Sequence, residues 1–310
     1  MTFQCLRMLG CKLKRWGACG LLLAVAISGP VSADTSEMKS MAQLPDPGAF
    51  QTQIRAIPEL MLAAEKLNRG KALTAPAKGK YSEAAAEARR LLGTLSRGYH
   101  DELYFLLGVA QQQLGQSADA LASYERSLAL RSNNQAARFR RAELLQQANR
   151  LAEADAEFRE LLWAGEDEKH LVLYRLAQVL IAQGKGEEAL KLSEQARQQS
   201  PGFVPVLRLL VDIRKRQLEL AENPTEKAHL EAQIAADLAV ISAQDPTDRD
   251  AGLALARFLL QDSDPLLNAQ RLAEAEAIAQ RLADASGFAD GESVRVLFDA
   301  QVKRGKLSEA

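Results

Sequence analysis

Cysteine, aromatic side chains and long apolar runs are all scarce in this chain. The three cysteines all fall within the first 33 residues, so the rest of the chain can form neither a disulfide nor a thiolate site. Aromatic residues make up 5% of the chain, whereas Ala, Leu, Glu, Gln and Arg, which lose little on entering a helix, are abundant. The apolar run at 17–27 is well short of the roughly 20 residues that span a bilayer. The composition therefore predicts an all-α protein without thiol chemistry.

Residues 1–33 have the order of features found in a secretory signal peptide. A basic start precedes the apolar run, no acid occurs before Asp34, and small residues lead up to Ala33. We therefore expect residues 1–33 to be cleaved on export, which would leave the protein in the periplasm or, alternatively, secreted. An uncleaved amphipathic anchor is disfavoured because Gly29 and Pro30 break a helix just after the apolar run.

The mature chain is predicted to be mildly acidic. Cleavage removes four basic residues and no acid, so the net charge moves from −1 to −5. Nucleic acids and anionic lipid surfaces both require clustered Lys and Arg, so neither is an expected partner. Residues 34–49 contain two prolines and little hydrophobic pattern, and we expect them to form a disordered lead-in.

A six-residue pattern recurs along the mature chain: Gly, Asn or Gln, then three variable residues, an acid and Ala. The first four copies start 36, 34 and 35 residues apart. Gly or Asn suits the left-handed residue that ends a helix, and an acid is favoured in the first turn of the next helix. The pattern therefore predicts helix-to-helix turns in hairpins of about 34 residues. The copies are GKYSEA at 79–84, GQSADA at 115–120, NRLAEA at 149–154, GKGEEA at 184–189, QRLAEA at 270–275 and GKLSEA at 305–310.

The repeat resembles the tetratricopeptide-repeat family, whose unit is a helix–turn–helix of 34 residues. The stretch 101–134 fits it best, with Gly108 at the small position of the first helix, Ala120 at the close approach and Tyr124 at the aromatic position. The resemblance covers residues 50–310. It implies a right-handed α-α superhelix of antiparallel helix pairs, with about six units.

Several units are expected to depart from the regular repeat. The last motif places Ala310 only one turn into a second helix, so we expect a truncated unit and a chain that continues in a longer protein; a natural end covered by another subunit is the alternative. Insertions are expected at 221–228 and 262–268, each marked by a proline. The expected helices around these irregularities are 50–67 and 82–92, joined by 69–80, then 204–220 and 229–243, and further helices ending near 260 and beginning near 269.

No catalytic, metal or cofactor site is predicted. The histidines His100, His170 and His229 lie far apart, without the i, i+4 spacing of a helical metal site. The stretch 184–189 matches the dinucleotide pattern G-x-G-x-x-A as a string, but a helix precedes it where that pattern needs a strand. We therefore interpret it as a repeat turn.

One set of side chains suggests a partner-binding groove. In the family, position 5 of each first helix faces the concave groove, and an aromatic residue occupies it in three successive units here. Aromatic rings with nearby amides and guanidiniums suit an extended peptide or a sugar chain. The alternative is that the aromatics pack between adjacent first helices; if the groove is correct, alanine at Phe139 and Tyr174 should abolish binding at little cost in stability. The predicted residues are Phe105, Phe139, Tyr174, Arg140, Arg175, Gln112, Gln146 and Gln178.

Three functions remain open from the sequence. The preferred one is a non-catalytic scaffold of the bacterial periplasm that binds another protein or an extended peptide and assists the assembly of an envelope or export complex. The second is the glycan-binding repeat domain of an exopolysaccharide-export outer-membrane protein. The third is an accessory domain of a cell-wall enzyme that lies beyond residue 310. The family serves many partners, so the resemblance does not decide between these functions.

Overall fold

A computed structural model describes residues 54–67, 73–95, 97–164, 169–261 and 265–305, with side chains in the last range from residue 269 onward. In these ranges the backbone forms helices and short connections, and no β-strand occurs. The predicted signal peptide, the lead-in and residues 306–310 lie outside the described residues. The chain divides into two compact units, residues 1–148 and 149–310, which are described separately.

Unit 1 contains two hydrophobic clusters. The larger joins the first three helices around Ile57, Tyr81 and Leu103, and the smaller joins the last three around Tyr124 and Leu144. A single 3-10 turn precedes α3. The helices are α1 Ala56–Leu67, α2 Ala75–Thr94, α3 His100–Gln113, α4 Ser117–Leu130 and α5 Gln135–Gln147.

Helices α3 and α4 form an antiparallel pair. The Ser127 hydroxyl near the end of α4 donates to the Asp101 carbonyl at the start of α3, at 2.7 Å. The Tyr124 hydroxyl donates to Gln112 at the end of α3, at 2.8 Å. Between these contacts a Cβ added at Gly108 would lie 2.6 Å from Cε1 of Tyr124. The glycine therefore allows the fully buried Tyr124 ring to lie directly on the α3 backbone.

Unit 2 has its largest hydrophobic cluster in its last five helices. Leu207, Ile241, Leu255, Ala279 and Val296 each come from a different helix and share this cluster. The helices are α6 Leu151–Trp163, α7 Lys169–Ala182, α8 Gly186–Gln199, α9 Val204–Leu220, α10 Pro224–Gln244, α11 Arg249–Gln261, α12 Pro265–Ala285 and α13 Gly291–Lys303.

Four of the six predicted turn motifs begin with a residue in the left-handed conformation. Gly115, Asn149, Gly184 and Gly305 all adopt positive φ, between 59° and 79°. Each directly follows a helix end, and Gly184 for example donates its N–H to the Ile181 carbonyl at 3.0 Å. The left-handed residue that the motif predicts is therefore present at these four positions.

The other two motifs, which begin at Gly79 and Gln270, are not turns. Gly79 lies inside the 20-residue α2, because the preceding helix α1 has already ended at Leu67 and no helix end remains for the motif to close. Gln270 lies inside the 21-residue α12, since glutamine has no preference for the left-handed region and continues the helix. The turn that precedes α13, which no motif predicted, has Gly287 and Phe288 at positive φ.

The predicted insertions are largely helical. The expected helix 204–220 is confirmed as α9, but α10 and α12 begin at Pro224 and Pro265, and α2 begins at Ala75. The prolines were interpreted as loop signals, whereas they occupy the first turn of a helix, where their fixed φ is favourable and no N–H is needed. Asn223 caps α10 by accepting the Thr225 N–H at 2.9 Å.

A buried ionic network joins α8, α9 and α10 in unit 2. Arg214 of α9 is 2% exposed and pairs with Asp237 of α10 and Glu194 of α8. Arg197 completes the network, 2.9 Å from Glu194. Burial raises the pKa of Asp237, and the neighbouring guanidiniums oppose that shift.

Candidate partner-binding faces

In unit 1 the predicted aromatic residues lie on half-buried parts of α3 and α5. Phe105 packs against the cluster that contains Ala137 and Leu144 of α5, and its ring centroid lies 6.1 Å from that of Tyr124. Phe139 is likewise half-buried on α5. Both rings therefore remain partly accessible. We call the five predicted residues on these two helices, Phe105, Gln112, Phe139, Arg140 and Gln146, the α3/α5 face.

The polar residues of the α3/α5 face are held in different ways. The Gln112 side-chain oxygen accepts the Tyr124 hydroxyl hydrogen. Arg140 donates to the buried carboxylate of Glu143, one turn further along α5, at 3.1 Å. Gln146, a further turn along, is half-buried. The face thus combines aromatic rings, amides and one paired guanidinium.

In unit 1 the charge of Arg140 acts on a carboxyl group of α1. Burial raises the pKa of Glu65 on α1, and the positive charge of Arg140 opposes that shift. Burial, with a contribution from the Glu65 carboxylate, raises the pKa of Tyr81 to about 12. The surroundings of the α3/α5 face therefore carry both signs of charge.

In unit 2 the three predicted residues of α7 are joined by hydrogen bonds. Arg175 donates to the Gln178 side-chain oxygen at 3.2 Å, and the Gln178 nitrogen donates to the Tyr174 hydroxyl at 2.8 Å. The Arg175 guanidinium also lies 5.8 Å from the centroid of the Tyr174 ring. Arg175 and Gln178 are half-buried.

Tyr174 is more deeply buried than the groove hypothesis assumed. Its side chain is 7% exposed, and its ring meets the Phe203 ring edge-on, with centroids 5.7 Å apart. Burial raises the pKa of Tyr174, and Arg175 opposes that shift. This burial favours the alternative in which the aromatic residue packs within the fold, and we expect alanine at this position to cost stability. The sequence did not identify Phe203 as a neighbour; its signal was an aromatic residue directly before the next first helix.

Outside these faces, the structure assigns ordinary roles to the histidines. His100 bonds to the Leu95 carbonyl through Nε2 at 3.0 Å, His170 packs edge-on against Phe203, and His229 contacts Gln233. Among the described residues, no three His, Cys, Asp or Glu side chains are grouped so that they could hold a metal ion. None of the helices in the described ranges combines the length and apolar character needed to span a membrane.

The geometry defines a class: an all-α protein built from antiparallel helix pairs, a fold typical of non-catalytic scaffolds for protein–protein interaction. Residues 101–134 match the tetratricopeptide repeat, so the pair α3/α4 is such a repeat. This confirms the unit that fitted the family pattern best. A comparison with curated protein sequences gives no significant match.

Solved structures share the fold. A structure from a functional characterisation of Pseudomonas aeruginosa pilF aligns with a TM-score of 0.53 at 14% identity, over 79% of this chain and 97% of that one. The structure of PilW, described as a widely conserved type IV pilus biogenesis factor, aligns with a TM-score of 0.51 at 17% identity, over 78% of this chain and 98% of that one. At these identities the likeness supports the fold alone.

Proposed function

We propose that the protein is a non-catalytic scaffold of the bacterial periplasm that binds an extended peptide segment of a partner protein and assists the assembly of an envelope or export complex. The α3/α5 face carries this proposal. Its side chains are neither sealed in the core nor fully solvated, so part of each side chain can contact a partner. Rigid aromatic rings supply contact area at a low entropic cost, and amides fix the orientation of a bound chain.

The structural neighbours support the proposal through the fold. PilW is described as a pilus biogenesis factor, which is an assembly function of the kind proposed here. The helix-pair repeat offers a surface on each first helix, and successive repeats extend that surface along a bound segment.

Peptide binding by the α3/α5 face can be tested with random 12-residue peptides selected on the immobilised full chain. We expect Phe139→Ala and Gln146→Ala each to weaken the selected peptide at least tenfold, since they remove contact area and an orienting amide from the face. Trp163→Ala is the matched control: it also truncates an aromatic ring, but one that is 92% exposed at the end of α6, and it should leave the affinity unchanged. Phe139→Ala should melt within a few degrees of the wild type. Equal affinity for all four proteins would refute the face.

Export is tested separately. Residues 1–33 fused to a reporter that is active only outside the cytoplasm should give activity, and mass spectrometry of the mature protein should find an N-terminus at Asp34. A full-length protein that retains residues 1–33 in the cytoplasmic fraction would contradict the periplasmic location and leave the test of peptide binding unaffected.

A further inference from the structure

Helix α13 packs into unit 2 on one side and carries apolar side chains on its other side as well. Its inner side contributes Val296 and Leu297 to the large hydrophobic cluster. On the outer side Phe298 and Val302 are 47% and 36% exposed, and Val294, one turn before Phe298, is half-buried at the edge of the cluster. Residues four apart are neighbours on a helix surface. Val294, Phe298 and Val302 therefore form a continuous apolar row, which we call the α13 stripe.

Two charged residues flank the α13 stripe. Arg295 and Asp299 are both exposed, and their spacing of four residues places them on the same side of the helix. Neither side chain takes part in a hydrogen bond or ion pair with the residues that the structure describes. A pair between the two within the helix would also be weak, because the basic residue precedes the acidic one, which is the less favourable order.

The other two charged side chains of α13 are used within unit 2. Glu292 accepts hydrogen bonds from Arg249 and Arg257 of α11. Lys303 donates to the Leu260 carbonyl at the end of α11, at 2.6 Å. The two charges that flank the stripe therefore differ from the other charges of α13, since they have no partner within the described part of the fold.

The α13 stripe and its flanking charges are complementary to themselves. If two copies of α13 pack antiparallel with Phe298 on Phe298, Val294 of each copy faces Val302 of the other. In this register Arg295 of one copy and Asp299 of the other lie on the same side of the helix pair, offset by two residues, or about 3 Å along the axis. An arginine side chain can span this offset. The two-fold axis repeats the contact, so one dimer contains the ion pair twice.

We propose that the α13 stripe is a homodimer contact, in which two copies of this chain pack antiparallel through Phe298 and are aligned by reciprocal ion pairs between Arg295 and Asp299. The charges favour a second copy as the partner because one surface supplies both members of each pair. One helix per subunit is a small interface beside the about 1,600 Å² of a standard one, so we expect micromolar, concentration-dependent association. The inference is independent of the proposed function, because the α3/α5 face lies in unit 1.

Charge reversal tests the contact in sedimentation equilibrium of the full chain over a concentration series. We expect a monomer–dimer equilibrium in the wild type. Arg295→Asp and Asp299→Arg should each weaken the dimer at least tenfold, since either change brings like charges together at two places. An equimolar mixture of the two variants should associate again, because one then carries two acids and the other two bases at the facing positions. Contacts within one chain cannot produce this restoration.

A truncation with a matched control tests the apolar part of the contact. Phe298→Ala removes the central ring and should abolish the dimer, while it melts within a few degrees of the wild type because the ring is 47% exposed. Leu220→Ala truncates an apolar side chain that is 83% exposed at the end of α9. This control should leave the dissociation constant of the dimer unchanged.

Three results would overturn the proposal. A wild type that stays monomeric at every concentration would show that two copies do not bind through the stripe. A dimer that survives both charge reversals would lie on another surface. Hydroxyl-radical labelling of Phe298 that is as low in dilute as in concentrated protein would show that the same chain covers the stripe.

Discussion

Replacing Gly108 by alanine tests the packing of the α3/α4 repeat. The added Cβ would lie 2.6 and 2.7 Å from Cε1 and Cδ1 of Tyr124, well inside van der Waals contact. The Tyr124 ring is fully buried and its hydroxyl is bonded to Gln112, so it has little room to move. Overpacking of this kind costs about 1–3 kcal/mol, whereas the better helix propensity of alanine returns about 1 kcal/mol. We expect a net loss of up to about 2 kcal/mol.

The chain offers a matched control at Gly79. This glycine is also helical, but no atom lies within 4 Å of an added Cβ, so Gly79→Ala should gain up to about 1 kcal/mol from helix propensity alone. Urea unfolding followed by circular dichroism, together with hydrogen exchange of the α3 amides, measures both variants. Combining Gly108→Ala with Tyr124→Leu should cost less than the sum of the single changes, because the smaller side chain relieves the contact. A Gly108→Ala protein as stable as Gly79→Ala would refute the close-packing argument.

Three further changes probe unit 2. The Arg249 guanidinium holds the pKa of Asp290 well below its usual range. This carboxylate therefore contributes stability that is present above about pH 4 and is lost as the pH falls toward its folded pKa. Asp290→Asn keeps a capping side chain, and its urea midpoint, measured from pH 7 to 2, should fall less in acid than that of the wild type. Arg214→Met removes the buried cation that bonds Asp237 and leaves only Arg197, 3.7 Å away, as its partner; it should cost about 3–5 kcal/mol in urea unfolding. Arg214→Met/Asp237→Leu should restore much of that loss, and a neutral single variant would contradict the burial of the pair. Tyr174→Ala should cost about 3–5 kcal/mol by the same measurement, because it empties a packed site, and a loss below 1 kcal/mol would argue that the ring is not held by its neighbours.

The turn motif predicted helix ends correctly at positions whose first residue tolerates positive φ. Gly115, Gly184 and Asn149 each combine a residue that tolerates positive φ with a helix that ends directly before it, and both features are visible in the sequence. At Gly79 and Gln270 the acid and the alanine of the motif are present, but an acid and an alanine are equally compatible with a helix interior. The pattern was therefore sufficient only where a helix reached its first residue and that residue could end the helix.

The helix starts next to the prolines were predicted wrongly. A proline ends a helix that reaches it but also begins the helix that follows, and the sequence alone does not say which side of it is helical. At Pro224 the answer depends on the Asn223 side chain, which satisfies the Thr225 N–H at the start of α10. An Asn-Pro pair can thus mark a capped helix start, and here it extends α10 by several residues beyond the expected boundary.

Alignment with the repeat predicted which side chains share a position on successive first helices, but not how deeply each is buried. Phe139 and Tyr174 occupy the same position, yet Phe139 is half-buried and Tyr174 is 7% exposed. The difference at Tyr174 comes from Phe203, which follows it by 29 residues and covers its ring. Burial thus removes the Tyr174 ring as a contact surface, although the repeat alignment places it at the same position as Phe139.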